Sequence, residues 1–367
     1  MASQNHNNDL GEVAEAFGRQ TDPLRRYEAE FADVDLDLFQ AYIERVLLPK
    51  DPSESTLKNY RHAFDQWKAF MSDQGRHPAC PHEKHIKEFV AHLRDERGNS
   101  KNTIEHKRDN LGRVYEWWQD HYAFPHPSDY NPFKIAKREM NLADDTDDKK
   151  YPHLTEKDIS EIICDCTNIR ERLFLIWLPK LGMRVGELLN IRLEDISLSH
   201  SHIKDCYPEL GAAPPLSNYE NCIYVPSKHE REGNKSSKPR ILPLDDELRQ
   251  VLLQYLTIRP RVNEPWLLLS QRTNGKIDRG DRINNIWKEH FQEYNQIDGY
   301  RTITTHYGRH YFTRYWKIQE DIPRELVQYM RGDKLGDARS GDSIDDYLAA
   351  YYEDIESVYL NRVPKFL

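Results

Sequence analysis

The stretch Leu173-Phe-Leu-Ile-Trp-Leu-Pro-Lys-Leu-Gly-Met-Arg-Val-Gly-Glu-Leu-Leu189 carries the most information about the fold. The apolar run from Arg172 to Lys180 predicts a helix, and Gly182 is its expected stop because glycine readily takes the left-handed conformation that ends helices. A second helix start follows at once at Met183. The pattern therefore predicts two helices joined by a tight turn, with Arg184 between them, where its guanidinium group could project.

Upstream of this stretch, four amphipathic stripes have apolar residues mostly three or four positions apart. They run from Leu36 to Leu47, from Leu57 to Met71, from Ile86 to Leu93 and from Ile104 to Trp118. This spacing predicts four helices, and the short connections indicate a compact helical bundle. Ser53 and Ser55 are cap candidates for the second helix, and Ser100 and Thr103 introduce the fourth.

Composition then divides the chain. We expect a mobile acidic leader at 1–33, a helical domain at 34–141, a polar linker at 142–150 and a second domain at 151–367. Thr155-Glu-Lys-Asp158 resembles a capping box. Cys222–Val225 and Arg240–Leu244 are typical of two strands of a hairpin, and residues 200–221 between helix and hairpin look irregular.

Composition also excludes several classes of protein. The apolar runs are far shorter than the roughly 20 residues that span a bilayer, and the amino terminus has no secretory pattern. Five scattered cysteines fit a reducing compartment, so we expect a cytoplasmic protein with no membrane association. Cys164-Asp-Cys166 has no second Cys or His pair at zinc-finger spacing, so no metal site is predicted.

The charge is ambiguous about nucleic acid. Lys plus Arg total 52 against 61 Asp plus Glu, a net charge of -9, which argues against a nucleic-acid partner for the chain as a whole. The segment from Lys228 to Arg240, however, holds five bases against two acids. The net charge therefore does not exclude DNA as a partner, and DNA binding depends on the charge of local surface patches.

Two further groups of residues could carry chemistry. His306 and Arg309 are three positions apart, which places both on one face of a helix. Tyr347, Tyr351 and Tyr352 would fall within about one and a half helical turns near the carboxyl end. Taken singly, such residues are more often surface or core residues than catalytic ones.

These segments resemble, in the same order along the chain, the sequence boxes of the tyrosine recombinases, which are the phage integrase family. The resemblance is to the archaeal and bacterial integrases of this family. The resemblance is carried by the Gly-x-Arg-x-x-Glu-Leu centre at Gly182, by Leu193-Glu-Asp-Ile196, by Ile223–Lys228 with Pro239–Leu244, by Thr305–His310, by Val327–Gly332 and by Tyr347. Residues 36–133 are similar to the family's core-binding domain. The resemblance covers roughly residues 36 to 360.

The resemblance implies a mainly α fold. It implies a helical-bundle core-binding (SAM-like) domain followed by an α+β integrase-type catalytic domain with a small antiparallel sheet. The implied activity is site-specific cutting and rejoining of double-stranded DNA through a 3′-phosphotyrosyl intermediate, by a tetramer on DNA and without a metal or small-molecule cofactor. The alternatives are a catalytically altered DNA-binding protein of the same fold and strand relaxation as in type IB topoisomerases.

The resemblance also assigns roles to residues. Arg184 and Arg309 would grip the scissile phosphate, His306 would position it or accept a proton, Lys228 would protonate the leaving oxygen and Tyr347 would be the nucleophile. Lys235 or Lys238 could replace Lys228, and Tyr351 or Tyr352 could replace Tyr347. Paired guanidinium hydrogen bonds suit phosphate oxygens better than an ammonium group does.

This sequence departs from the family in three places. Asp333 stands where the family usually has His or Trp, and we expect it to orient a neighbour or bind a base. Ala349 offers no polar group beside Tyr347, and the insertion Leu335–Asp342 lengthens the approach to the nucleophile.

Two groups of basic residues are expected to face DNA phosphates. They are Lys101, Lys107, Arg108 and Arg113 in the first domain, and Arg231, Lys235, Lys238 and Arg240 around the hairpin.

Overall fold

The computed structural model describes residues 13–14, 16–140, 149–278, 280–333 and 350–367. The chain divides into two compact units, residues 1–147 (unit 1) and 148–367 (unit 2). Each unit has a hydrophobic core of its own. In these described ranges, no helix combines the length and the apolar character that crossing a membrane requires.

Unit 1 is a bundle of amphipathic helices. They are α1 (Glu28–Ala32), α2 (Leu38–Tyr42), α3 (Glu54–Asp73), α4 (Glu83–Asp95), α5 (Lys101–Asp120) and α6 (Pro132–Glu139). The four predicted stripes correspond to α2 to α5, and α2 continues into a π-helical turn at Ile43–Leu47. Ser53 caps α3 and Ser100 caps α5, each by accepting a backbone hydrogen bond, at 3.3 and 3.4 Å.

The prediction of a mobile leader at residues 1–33 is wrong for the part of this segment that includes Leu24 and Phe31. Leu24 and Phe31 are buried in the core of unit 1, with 0% and 6% exposure. Phe31 stacks on His77 at a ring distance of 5.5 Å, and Arg76 forms an ion pair with Asp22 at 2.8 Å. The sequence pattern did not reveal these two apolar side chains, because the acidic residues around them interrupt any sustained apolar period.

Unit 2 consists of helices and a small sheet. The helices are α7 (Glu156–Asp165), α8 (Ile169–Leu181), α9 (Val185–Leu189), α10 (Ser201–Cys206), α11 (Asp246–Ile258), α12 (Asp281–His290), α13 (Gln292–Asn295), α14 (Thr305–Arg314), α15 (Arg324–Arg331) and α16 (Tyr352–Arg362). The predicted capping box opens α7, where Thr155 and Asp158 bond reciprocally. Helix α10 lies in the stretch that was expected to be irregular.

The sheet is antiparallel and follows chain order. Its strands are β1 (Ile196–Ser197), β2 (Cys222–Val225) and β3 (Arg240–Pro243). Ile223 pairs with Ile196 on one side and with Leu242 on the other. The hairpin β2–β3 was predicted, whereas β1 was not, because two residues are too few to show alternation. The predicted fold class, mainly α with a small antiparallel sheet, is confirmed.

Helix α8 forms the centre of unit 2. Every residue from Leu173 to Leu181 is buried, as expected for a helix that is packed on all sides. Its neighbour α14 approaches closely at Gly182, which ends α8 with φ = +60°. A Cβ atom there would lie 2.5 Å from a ring carbon of Phe312. Glycine therefore both ends α8 and admits α14, and the next residues carry the chain to Arg184.

Candidate active site

A cleft of about 410 Å³ in unit 2 gathers residues from four distant parts of the sequence. Its lining comprises Met183, Arg184, Val185, Gly186, Glu187, Gly233, Lys235, Asn284, Thr304, Thr305, His306 and Arg309. The turn after α8, the hairpin loop, the first turn of α12 and the start of α14 supply these residues. The structure thus brings together Arg184, His306 and Arg309, which the sequence analysis selected.

Arg184 lies at the N-cap position of α9, in the turn that the sequence predicted. Its guanidinium group donates to Ser236 Oγ at 3.0 Å and to Asp333 Oδ1 at 3.0 Å. It also contacts Glu187 at 3.3 Å. The side chain is about one third exposed, so its guanidinium group faces the cleft and remains open to a ligand.

Arg309 is held more firmly. One of its terminal nitrogens, Nη1, donates to the carbonyl oxygens of Gly182 at 2.6 Å and Arg331 at 2.8 Å. The other, Nη2, donates to Asp333 Oδ1 at 2.5 Å. Burial, then the nearby charge of Arg184, lowers the pKa of Arg309 to about 9, and Asp333 opposes this effect. Arg309 is therefore still charged at neutral pH.

The Asp333 carboxylate joins the two arginines. The same oxygen, Oδ1, accepts from both Arg184 and Arg309, while Oδ2 lies 2.9 Å from Arg331 Nε. Asp333 follows Gly332, which ends α15 with φ = +65°, and a Cβ atom on that glycine would lie 2.6 Å from Ser236 Oγ. Asp333 thus contacts Arg184, Arg309 and Arg331, and its role in orienting them stays a prediction.

His306 begins the same face of α14 as Arg309, as the spacing of three predicted. Its exposed ring lines the cleft. Desolvation by the cleft walls, then the charges of Arg301 and Arg309, lowers the pKa of His306. The imidazole is therefore neutral at neutral pH and has a free lone pair, as a proton acceptor requires.

A buried ion pair at the wall of the cleft holds Arg184 in place. Glu187 and Arg240 are each 1% exposed at the side chain and contact each other at 2.9 Å. Glu187 also accepts from the backbone N–H of Arg184 at 3.0 Å. Burial alone would raise the pKa of Glu187, but the charge of Arg240 and hydrogen bonds from Arg240, Ser236 and Arg184 lower it to about 2.

Several site residues were missed or misplaced by the sequence analysis. Glu187 stands in the quoted Gly-x-Arg-x-x-Glu motif and Arg331 in the quoted segment Val327–Gly332, so a signal existed for both, whereas Ser236 gave none. Arg240 was expected to face phosphates, but it is buried and donates to the carbonyl of Met330 at 2.8 Å. Its place on β3, whose residues are all buried, explains the difference.

Arg231 is also used internally. It forms an ion pair with buried Asp195 and donates to the carbonyl of Asn190 at 2.8 Å. Its side chain is 11% exposed. The expectation that it faces DNA phosphates is wrong for this structure, because the hairpin loop folds back onto α9.

The three candidate lysines differ in position. Lys228, Lys235 and Lys238 are all exposed, and Lys235 lines the cleft with the two arginines. Lys228 and Lys238 are not among the cleft-lining residues in the described part of the chain. The backbone of Lys228 pairs with that of Ser236 at 2.8 Å, so Lys228 lies at the base of the loop.

The candidate nucleophiles are only partly described. Tyr347 and Ala349 lie outside the described residues, as does the insertion Leu335–Asp342. Tyr352 is 4% exposed, donates to Glu356 at 2.9 Å and packs edge-on against Tyr219. Burial raises the pKa of Tyr352 well above its usual range, which suits a structural residue rather than a nucleophile. Tyr351 is 63% exposed at the start of α16.

The basic residues predicted on α5 of unit 1 are not equally accessible. Lys107 and Arg108 are buried, with 8% and 5% exposure, because they share the packed face of α5 with Leu111. Arg108 is paired with Asp109 at 2.9 Å. The expectation that they present free charges is therefore wrong for this structure. Lys101 is half-buried, and exposed Arg113 donates to the hydroxyl of Tyr60 at 3.1 Å.

Comparison with known families gives two matches along the chain. Residues 152–334 match the model described as "Phage integrase family". Residues 36–122 match "Phage integrase, N-terminal SAM-like domain". Together the two matches cover well over half of the chain and place the cleft inside the first model.

Among curated proteins, tyrosine recombinase XerC of Staphylococcus saprophyticus is 24% identical over 340 residues, covering 89% of this chain and 97% of that protein. Tyrosine recombinase XerA of Pyrococcus horikoshii is 25% identical over 181 residues, covering 49% of this chain and 52% of that protein. The first alignment runs through both units, and the second covers about half of each chain.

Two solved structures show the same fold. The Tn1549 transposon integrase in complex with transposon right end DNA has a TM-score of 0.60 at 16% identity, covering 88% of this chain and 98% of that chain. A lambda integrase tetramer bound to a Holliday junction has a TM-score of 0.60 at 15% identity, covering 92% of this chain and 88% of that chain.

Proposed function

Because this chain belongs to the phage integrase family, we propose that it is a site-specific DNA recombinase that cuts and rejoins DNA strands through a 3′-phosphotyrosyl intermediate. It is an enzyme of the tyrosine recombinase type. The proposal goes beyond family membership by assigning each step of the reaction to side chains of the cleft.

One observation carries the proposal: two guanidinium groups from distant parts of the sequence converge on a single anionic oxygen. Arg184 and Arg309 both donate to Asp333 Oδ1, at 3.0 and 2.5 Å. A non-bridging phosphate oxygen is an acceptor of the same charge and similar size. We infer that the Asp333 carboxylate marks the place where the scissile phosphate binds. When the phosphate binds, Asp333 moves aside or keeps only its contact with Arg331.

The chemistry follows from this placement. When a tyrosine oxygen attacks phosphorus, negative charge grows on the non-bridging oxygens, and Arg184 and Arg309 stabilise it. His306 is neutral, so it accepts the proton of the attacking phenol. We assign the nucleophile to Tyr347 on its sequence position, with exposed Tyr351 as the alternate. The phosphodiester energy is kept in the covalent intermediate, so rejoining needs no energy-rich cofactor.

A lysine of the hairpin loop protonates the departing 5′ oxygen. Lys228 is the residue at the family's motif position, whereas Lys235 lines the cleft beside the arginines. The cleft geometry favours Lys235.

We therefore expect Lys235→Ala to slow cleavage by about 10²-fold or more, within the range typical of losing a general acid. Lys228→Ala is the matched control, since it removes the same charge from the same loop, and it should slow cleavage less than tenfold. A duplex whose leaving oxygen is replaced by sulfur should rescue Lys235→Ala, because a thiolate leaves without a proton. If the larger loss and the rescue both belong to Lys228→Ala, the motif position supplies the acid.

We propose double-stranded DNA as the partner, a tetramer on DNA as the working assembly, and the cytoplasm as the location, on phage or other mobile-element DNA. The relatives support this, since one is a transposon integrase bound to DNA and another is a tetramer on a Holliday junction. The five free cysteines fit a reducing compartment.

Joining between two duplexes tests the proposed function. The protein first selects its site from a random-sequence pool, and two labelled duplexes of different length that carry the selected site are then incubated with it. A recombinant of new length supports recombination. Relaxation of a supercoiled plasmid without joining would indicate a topoisomerase, and binding without either would indicate a DNA-binding protein.

The affinity of the protein for duplex DNA should fall as the salt concentration rises. A plot of log binding constant against log salt concentration should have a slope of roughly -0.9 per phosphate contacted.

A further inference from the structure

Three metal-ligating side chains from separate segments of unit 2 meet away from the cleft. His290 Nε2 lies 3.8 Å from Cys166 Sγ and 3.1 Å from Glu171 Oε2. All three ligand atoms lie within 4.8 Å of one another. Around a tetrahedral zinc ion, with zinc–sulfur about 2.3 Å and zinc–nitrogen or zinc–oxygen about 2.0–2.2 Å, neighbouring ligand atoms lie about 3.3–3.7 Å apart. The observed spacings need only small side-chain adjustments to match.

We propose that Cys166, Glu171 and His290 bind one zinc ion, with water as the fourth ligand. Thiolate and imidazole together favour zinc over magnesium or calcium, which prefer oxygen ligands alone. Cys166 is 2% exposed, whereas the side chains of Glu171 and His290 are about one quarter exposed. The site therefore has a buried sulfur and one side open to solvent, through which the ion enters and water coordinates.

The surrounding contacts hold the ligands in position. Asn168 caps α8 and donates from its side chain to Glu171 Oε1 at 3.1 Å, which leaves Oε2 directed at His290. Fixing one carboxylate oxygen in this way is typical of the outer contacts of metal sites. Arg172 donates to the carbonyl of Cys166 at 2.9 Å and holds the loop, while its positive charge weakens attraction for a cation.

The position of the site points to a structural role. Glu171 lies in the first turn of α8 and His290 ends α12, whereas the other end of α8 leads to Arg184 and the first turn of α12 brings Asn284 to the cleft. Helix α8, with 13 residues, is about 20 Å long. The ion would thus join α7, α8 and α12 at the ends remote from the arginines, and its effect falls on stability rather than on the cleavage step.

No local motif indicates this site. Cys166 and Glu171 are five residues apart, but His290 follows 119 residues after Glu171, so no local spacing motif exists. The expectation that the chain has no metal site rested on spacing alone. A simple His290–Glu171 ion pair is the competing explanation, and it does not require the thiol.

Cobalt binding separates the two explanations without any activity measurement. The full-length protein is stripped with a chelator, and Co²⁺ is titrated while the thiolate-to-cobalt absorption band is followed. We expect one equivalent of Co²⁺ to produce the band, Zn²⁺ to displace it, and zinc to raise the Tm. Cys164→Ser, an exposed control two residues away, should keep the band.

Cys166→Ser should abolish the band and weaken zinc binding by at least about 100-fold, because loss of an outer contact alone typically costs 10- to 100-fold. Asn168→Ala keeps all three ligands but removes the outer contact to Glu171 together with the cap of α8, and it should keep the band and weaken binding by about 10- to 100-fold. Should Cys166→Ser fold poorly, His290→Gln serves as the second ligand variant. No band in the natural chain, or a band that survives in Cys166→Ser, would overturn the proposal.

Discussion

Arg309→Lys should reduce the rate of covalent DNA cleavage by about 10²- to 10³-fold, the loss typical of removing a donor that stabilises transition-state charge. The structure gives the reason. One terminal nitrogen of Arg309 is committed to the carbonyls of Gly182 and Arg331, and the other reaches the Asp333 oxygen. A lysine has one nitrogen, so it cannot hold its anchor and the phosphate together.

The rate is measured in a single turnover, from the appearance of protein–DNA adduct on a nicked duplex that prevents religation. Affinity for the same duplex should change less than tenfold, since the charge is kept. Arg324→Lys, an exposed change at the start of α15, should leave the rate within about twofold. A cleavage rate for Arg309→Lys within threefold of the natural chain would remove Arg309 from the mechanism.

Glu187→Gln should lower the free energy of unfolding of unit 2 by about 3 to 5 kcal/mol, because Arg240 would remain buried without its counter-charge. Denaturant titration measures the effect. Glu161→Gln is the matched control, since its ion pair with Lys157 is well exposed and should contribute less than about 1 kcal/mol. Replacing both members, as Glu187→Gln with Arg240→Met, should cost less than Glu187→Gln alone.

Acid should reveal the same ion pair. The pKa of Glu187 is about 2, against an ordinary value of 4.5. A lowered carboxylate pKa stabilises the fold fully above pH 4.5, and this contribution, about 3 kcal/mol, is lost as the pH falls towards 2. The stability difference between the natural chain and Glu187→Gln should therefore shrink across this window. A difference that stays constant from pH 5 to pH 2 would contradict the assignment.

Much of the fold could be predicted because it is encoded locally. The stop at Gly182, the caps at Ser53 and Ser100 and the box at Thr155 each depend on a few neighbouring residues, and all were found. The segment around Phe31 was missed because two apolar side chains among acidic ones show no period. Strand β1 was missed because its two residues are defined by their partner, not by their own pattern.

The candidate site divides in the same way. Arg184, His306 and Arg309 could be selected from motif order, and the structure places them in one cleft. The charges of Arg231 and Arg240 led to a wrong prediction of DNA contacts. A sequence does not show that each arginine has a buried carboxylate partner, Asp195 for Arg231 and Glu187 for Arg240. The identity of the arginines that Asp333 contacts and the meeting of Cys166 with His290 depend on tertiary contacts, which no spacing rule predicts.

The central claim is that the two arginines and a phenol oxygen act on one backbone phosphorus. Its most direct test is to trap the adduct on a nicked duplex of the selected site, digest it and locate the modified tyrosine by mass spectrometry. We expect the DNA on Tyr347, with no adduct in Tyr347→Phe or in the double variant Arg184→Ala/Arg309→Ala, and an undiminished yield in Tyr352→Phe. An adduct that forms without both arginines, or no adduct from a natural chain that binds the duplex, would contradict the account.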